Sequence, residues 1–514
     1  MAMTGVSTQA VESRAVPSEL AGPADTRDAP ATPFAGWVIA SVVLLVLGIL
    51  LPVIFAGLSG GSFDEPALSL SMFVAIYAAV RLAILLLRGR DSLAQLTFWI
   101  YVYLWLGLAA SAQVSANRFP IPFQTFDRSL QVKALVGVVI GIVAYDLGAL
   151  LARRSRGSSW IGRSVERLEI APRRVWVVAV VGIAYPLYST WDTGLAVRFS
   201  SRATATNAIF KAQPGQRVDL LQNKASALIQ VALLWMPAFV ALYLLTYLYR
   251  STRLGGANPP RDWRWFASRR ARRLIVALVL VNILVNNPQS NPRSRFAGVM
   301  IALVIAFFPT GRAARFRLGA LGLLGLTIIV FPYAAVFRYD QRNLAFTSLS
   351  EQLSGSPDYG MFQQELNGLV YTDANGYTLG RQISGAFLSP VPRALWPGKP
   401  VDTGNLVSRT RLINASSDLW TEANIDFGFA GIAVLFLGYG YLSKSFDDAY
   451  HQRDQRRASV IGAAVPLFAA FQIYLVRGSL QPAFGELAPV AVTLFFCLRL
   501  RSDATVEEPG IAHR

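Results

Sequence analysis

Cysteine and histidine are almost missing from this chain: Cys497, His451 and His513 are the only examples among 514 residues. One cysteine excludes an intrachain disulfide, and so few thiols and imidazoles exclude a cysteine- or histidine-rich metal centre. A phosphate-cradling Gly-Lys-Ser/Thr loop is absent as well, which argues against nucleotide hydrolysis by the chain itself. Charge is scarce: 15% of residues are charged while 53% are apolar. A soluble enzyme cannot hide that much apolar sequence, and no internal repeat of the kind common in transporters is visible.

What is present is a series of apolar runs near membrane-spanning length. In hydrocarbon every N–H and C=O needs an internal partner, so these runs must be helices. The short alternating segments of a β-barrel are not found. Spans are expected at Pro33–Gly57, Pro66–Leu87, Ser92–Ser115, Gln131–Leu151, Val175–Tyr188 and Ala225–Tyr249. Six more are expected at Ala271–Asn287, Phe296–Phe308, Leu318–Phe337, Phe427–Leu442, Val460–Val476 and Gly485–Leu498. The seventh and eighth are short for a hydrocarbon layer of about 30 Å, and a re-entrant hairpin is the alternative to two crossings. The expected fold is an all-α polytopic membrane protein of about 12 helices, with a large, partly helical outer loop between helices 9 and 10.

The net charge of +18 suggests no nucleic acid, because the arginines gather in alternate connectors. Arg88 and Arg90, the cluster from Arg153 to Arg174, that from Arg250 to Arg273, and Arg312, Arg315 and Arg317 all fall on one side. Lys444, Arg453, Arg456, Arg457, Arg499 and Arg501 join them. The positive-inside rule makes that side the cytoplasm and puts both termini there. The organisation expected is a disordered tail over 1–32, helices over 33–337, an outer loop over 338–426, helices over 427–498 and a short tail over 499–514.

The outer loop concentrates the chemistry. Gly380–Gly431 is the long polar stretch of the chain, and the outer side as a whole carries more cations than the rule leads one to expect. They are Arg338, Arg342, Arg381, Arg393, Lys399, Arg409 and Arg411. Guanidinium forks suit phosphate, and a lipid diphosphate is the phosphate that a membrane surface offers. In PVPRALWPGKP the prolines hold Arg393, Trp396 and Lys399 on a semi-rigid turn. In WTEANIDFGFAG, Glu422 is a candidate general base at the lipid edge and Asp426 a cap for the span that follows. Arg293 and Arg295 open the eighth span and offer a second cationic site. Asp64 and Glu65, before Pro66, form an acidic pair that suits either an acceptor base or a plain helix start. Phe362, Leu366, Leu369 and Val370 recur at helical spacing and predict an amphipathic helix on the outer interface, with Trp396 and Trp420 as interfacial anchors. With both histidines on the cytoplasmic side, a Ser-His-Asp triad or a His-based metal site outside is excluded.

The stretches FLSPVPRALWPGKP (387–400) and TEANIDFGFAGI (421–432), with ten residues between Arg393 and Gly404, resemble the Wzy-type O-antigen polymerases, the oligosaccharide repeat unit polymerase family. The resemblance is local and the remainder agrees in hydropathy. It implies a metal-independent glycosyltransferase of GT-C-like layout in a bacterial plasma membrane, with no cofactor. Such an enzyme joins undecaprenyl-diphosphate-linked oligosaccharide repeats on the outer face, beside membrane lipid, a flippase and a chain-length regulator. The related O-antigen ligases use an outer-loop histidine that this chain lacks. On this reading Arg295, Arg338, Arg381, Arg393, Lys399, Arg409 and Arg411 hold the diphosphate, and Glu422 with Arg393 serves the chemistry. A flippase for lipid-linked glycan, or a transferase using a polyprenyl-phosphate sugar with Asp64 central, are the alternatives.

Overall fold

In the computed structural model the described residues are 33–58, 65–121, 123–155, 157–200, 225–254, 265–266, 268–308, 312–333, 348–389, 391, 395–408, 416–453 and 458–500. Each of the apolar runs falls on a helix. We label these α1 (Pro33–Val43, continued by Leu44–Leu50 and Leu51–Leu58), α2 (Pro66–Arg88) and α3 (Leu93–Tyr101, continued by Val102–Leu108 and Ala109–Ala116). Next come α4 (Arg128–Arg154), α5 (Gly157–Glu166), α6 (Pro172–Thr193), α7 (Ala225–Leu254), α8 (Arg269–Val285), α9 (Arg293–Phe307) and α10 (Ala313–Gly325, continued to Tyr333). The segment between α10 and the last long helices holds α11 (Leu349–Gly355), α12 (Met361–Asn375), α13 (Arg381–Phe387) and α14 (Thr403–Ser408). The chain then closes with α15 (Leu419–Gln452), α16 (Val460–Arg477) and α17 (Leu480–Phe496). Eight of the helices, α1 to α4, α7, α10, α15 and α16, are long and apolar enough to cross a membrane.

Local sequence sets the helix ends. Asp127, Ser268, Asp418 and Ser459 stand at N-caps and accept from a backbone N–H two or three residues on, at 2.9–3.2 Å. Gly89 (φ 59°) and Asn117 (φ 43°) close α2 and α3 in the left-handed conformation.

At the arginine-rich end, side chains cap neighbouring helices. Arg317 donates to Leu86 O (2.9 Å) and Leu87 O (3.1 Å) at the end of α2. Arg250 donates to Ile305 O (2.9 Å) and Ala306 O (2.7 Å) at the end of α9, and Arg174 to Phe496 O (3.1 Å) and Leu498 O (2.5 Å) beyond α17. The last carbonyls of a helix lack intrahelical donors and carry the negative end of its dipole, so a guanidinium satisfies both needs. Asp447 does the converse at the start of α3, accepting from Ala94 N (2.8 Å) and Gln95 N (2.9 Å). Arg317→Ala is expected to destabilise by about 1.5–3 kcal/mol, the worth of a charge-assisted hydrogen bond. A melting curve checks it, with Arg317→Lys recovering part of the loss.

The short helices α8 and α9 run between the two ends of the bundle. Trp265, just before α8, packs on Trp176 beside Arg174, while Asn287 beyond α8 donates to Arg198 O (2.8 Å) and α9 ends on Arg250. Both are shorter than the eight helices long and apolar enough to cross a membrane.

Two large cores meet at α16. Val460, Ala463, Leu467, Ala470 and Phe471 face the core built on α6 to α9, while Val465, Ala469 and Val476 face the core built on α1 to α4, α10 and α15. In the second core α4 and α15 touch backbone to backbone. A Cβ on Gly148 would sit 1.9 Å from Leu437 O, and one on Gly440 would sit 1.9 Å from Tyr145 O.

Several expectations need correction. Helix α12 exists with the spacing read from Phe362, Leu366 and Leu369, but it does not lie on the surface. Those three pack against Ala67, Leu68, Val114, Ala134 and Leu135 at the ends of α2, α3 and α4. Its polar side is buried too: Gln363 pairs with Ile121, and Gln364 donates to Ser416 O (2.9 Å). Trp420 is no interfacial anchor; it is fully buried against Phe98, Tyr101 and Phe436. Helix α15 begins eight residues before the expected span and kinks at Gly428 (φ 64°). Helix α5 and the ladder β3 (Leu168–Ile170) with β4 (Leu498–Leu500) were not expected in the basic connectors. A second ladder pairs β1 (Phe119–Pro120) with β2 (Phe123–Gln124).

Candidate functional site

The site lies where α13, α14 and the turn between them fold onto the first turns of α15 and α17. Leu379 (φ 51°) and Gly380 (φ 85°) turn the chain sharply into α13. Asp426 fixes that turn. Its carboxylate accepts from Gln382 N (3.1 Å), Ile383 N (2.9 Å) and the Thr378 hydroxyl, while Thr378 N donates to Ile425 O (2.9 Å). Asp426 is therefore a cap, but for α13 and not for its own helix, which Asp418 caps.

The turn after α13 is pinned along its length. Lys399 Nζ donates to Ser389 O (2.6 Å) and Val391 O (3.1 Å), so its ammonium holds backbone. Pro400 fills the space beside Gly385, where a Cβ would meet its ring at 2.2 Å. Arg381 donates to Gly398 O (3.1 Å), and its side chain is otherwise exposed.

Glu422 sits deeper than the lipid-edge position expected of it. It is 1% exposed and accepts from the Thr403 hydroxyl (2.6 Å), the Ser417 hydroxyl (3.0 Å) and Leu480 N (2.9 Å). With donors on both oxygens it ties α14, α15 and α17 together. Oε1 takes two of these bonds and Oε2 one, so the visible service of this carboxylate is to hold the three elements together.

Two more acids line the same region. Asp402 is 3% exposed, and burial pushes its carboxyl up to about 6. Asp418, fully buried, accepts from Thr421 N (2.9 Å), the Thr421 hydroxyl (2.7 Å) and Tyr101 OH (3.1 Å), and burial pushes it up to about 6 as well.

The remaining candidates fall elsewhere. Arg295 is buried in an ion pair with Glu486 (2.8 Å) and stacks over Trp235 (4.7 Å), so a phosphate would have to displace that carboxylate. Glu65 pairs with Arg128 (2.5 Å), tying the starts of α2 and α4. Arg338, Arg342, Arg393, Arg409, Arg411 and Asp64 lie outside the described residues. No group of three acidic, histidine or cysteine side chains among the described residues could hold a metal ion.

The structure thus ties the residues flanking 387–400, Gln382 before it and Thr403 after it, to Asp426 and Glu422 in the stretch 421–432. It also brings in Asp402, Asp418 and Glu365, which sequence reasoning passed over. Glu365 stands inside the periodic run FQQELNGLV, where an amphipathic helix at an interface leaves its acids solvated. Comparison with protein-family models, with curated proteins and with solved structures returns no match. The class that the fold defines is a multi-pass helical membrane protein.

Proposed function

We propose that the protein crosses a bacterial plasma membrane twelve times, with both termini in the cytoplasm. There it acts as a polysaccharide polymerase, joining undecaprenyl-diphosphate-linked oligosaccharide repeats on the outer face. The observation that carries the proposal is the docking of the Pro397–Pro400 turn onto α13 and of α14 onto the start of α15. In that docking Arg381, at the start of α13, donates to Gly398 O and is otherwise exposed, on the side of the helix that the turn covers. At the opposite end Arg174, Arg250 and Arg317 are consumed as helix caps, which accounts for their positions without a ligand.

In this reaction the acceptor hydroxyl passes its proton to solvent water, its oxygen bonds to the anomeric carbon of the growing glycan, and the bond to diphosphate breaks with its electron pair on the leaving oxygen. Cations at that oxygen stabilise the developing charge. Arg381 and Arg393 are assigned to it, with Arg409 and Arg411 from the same segment. Lys399 keeps the turn in shape, and Glu422 holds the helices that carry it.

The test is purified protein in lipid vesicles with undecaprenyl-diphosphate-linked repeats. Longer products are expected from the wild type. Arg393→Ala should remain in the membrane at normal level and lose at least about 100-fold in elongation, the usual effect of removing one charge-stabilising donor. Normal product length in that variant would overturn the assignment. Substrate crossing the vesicle membrane without growing longer would mark a flippase.

A further inference from the structure

Glu365 stands apart from every other acid near the site. It lies in the second turn of α12, has no exposed surface, and neither carboxyl oxygen has a hydrogen-bond partner. The donors around it are committed elsewhere. The Thr421 hydroxyl lies close enough to ease the burial of Glu365 slightly, but its proton points to Asp418 at 2.7 Å; the Gln364 amide serves Ser416 O, and the Asn367 amide serves Gln364 and Ile121 O. Gly137 lets α4 wall the carboxyl closely, since a Cβ there would sit 3.3 Å from Glu365 Oε1. On the facing helix the Asn424 amide nitrogen also lacks a partner, and Gly368, one turn along α12 from Glu365, packs against Thr421 and Asn424.

An ionised carboxylate stripped of water and of donors is among the costliest groups a protein can bury. The ionisable groups on the elements packed against α12 are Tyr101 from α3, Lys133 from α4, Asp402 before α14, and Asp418, Glu422 and Asp426 at the start of α15. Lys133 is at the rim, paired with Asp373 (3.3 Å), and Asp418 is the charge that bears on Glu365, with the same sign. No described cation offsets either acid at this point.

We propose that Glu365 is a proton-binding site: a carboxyl held neutral in the crevice between α12, α4 and α15, sharing it with Asp418. Burial first, and then Asp418, raise its proton affinity well above the ordinary glutamate range. Loss of the proton places a second negative charge beside Asp418 and loosens the seat of α12, and with it the floor of the segment between α10 and α15. The inference stands whether or not the chain is a polymerase.

The experiment uses the full-length protein in lipid vesicles and reads the infrared C=O stretch of protonated carboxyls against pH. A band that persists through neutral pH in the wild type is expected to be missing in Glu365→Gln. Thermal unfolding in detergent gives a second readout. At acid pH the folded and unfolded states both hold the proton, so wild type and Glu365→Gln should melt together. As pH rises past the ordinary glutamate range, the unfolded chain releases its proton while the folded one must keep it. The wild type should then melt progressively lower than Glu365→Gln. Asp402 and Asp418 titrate in both proteins, so the difference isolates Glu365. Asp418→Asn removes the like charge and should shift the band's midpoint to lower pH. An unchanged band in Glu365→Gln, or parallel melting of the two proteins at every pH, would overturn the proposal; should Glu365→Gln fail to fold, an unmoved midpoint in Asp418→Asn would do so.

Discussion

Glu422→Ala is expected to remove folded protein from the membrane, while Glu422→Gln keeps the fold and most of the turnover. The alanine variant strands Leu480 N in a place water does not reach, leaves the Thr403 and Ser417 hydroxyls only their second acceptors, Gln382 Oε1 (3.3 Å) and Ser479 Oγ (3.0 Å), and opens a cavity where three elements meet. The stranded donor costs about 1–3 kcal/mol, and the cavity adds to it, together a large share of a typical net stability. With its oxygen in the place of Oε1 a glutamine still accepts from Leu480 N and the Ser417 hydroxyl, and its amide can donate to the Thr403 oxygen, whose own proton turns to Gln382 Oε1. Protein level, melting temperature and elongation, read side by side, separate the two roles. Loss of elongation in a stable Glu422→Gln would return the residue to service as a base.

Gly148→Leu should prevent α4 and α15 from assembling, and Gly440→Leu should do the same from the other side. At both positions the partner is a backbone carbonyl, which cannot swing away as a side chain would. The helices must separate along the contact, which opens the packing around Trp420 and Tyr145 and drags the site with it. Gly438→Ala, on the same helix, meets nothing within 4 Å and is the control. Detergent extraction followed by size-exclusion chromatography checks the set: a monodisperse peak is expected for the control and aggregate for the other two. A monodisperse Gly148→Leu would show that the close approach is dispensable.

The helices were legible because an apolar run in a polytopic chain has one way to satisfy its backbone. The start at Pro66 was legible, and the expected span and α2 share it, whereas the caps Ser268 and Ser459 emerge with the structure. Helix α12 was read at the right spacing and given the wrong partner, since periodicity reports an apolar face and not what covers it. Its glutamines look solvated in sequence; only the β1 and β2 hairpin and Ser416, distant along the chain, reveal them as buried donors. Trp420 misled for the same reason. The α4 and α15 contact did leave a trace in Gly137 and Gly141, a small-xxx-small pair that goes with close helix packing. The ladder of β3 and β4 joins three-residue strands far apart in sequence, too short to leave a pattern. As for the site, the concentration of polar residues from Gly380 to Gly431 pointed to the right neighbourhood. Which acids stay charged there depends on burial, which composition does not report.

The cap on α2 bears on how the chain is made. Arg317 follows Leu86 by 231 positions, so the carbonyls ending this early helix wait for most of the polypeptide to be synthesised before their donor arrives. Until then water or lipid headgroups must serve them. The first helices can therefore enter the bilayer in order, yet lock into register only when α10 threads in beside them. A ribosome stalled before that point would leave an inserted but unsettled bundle, open to proteolysis at the Gly89 turn.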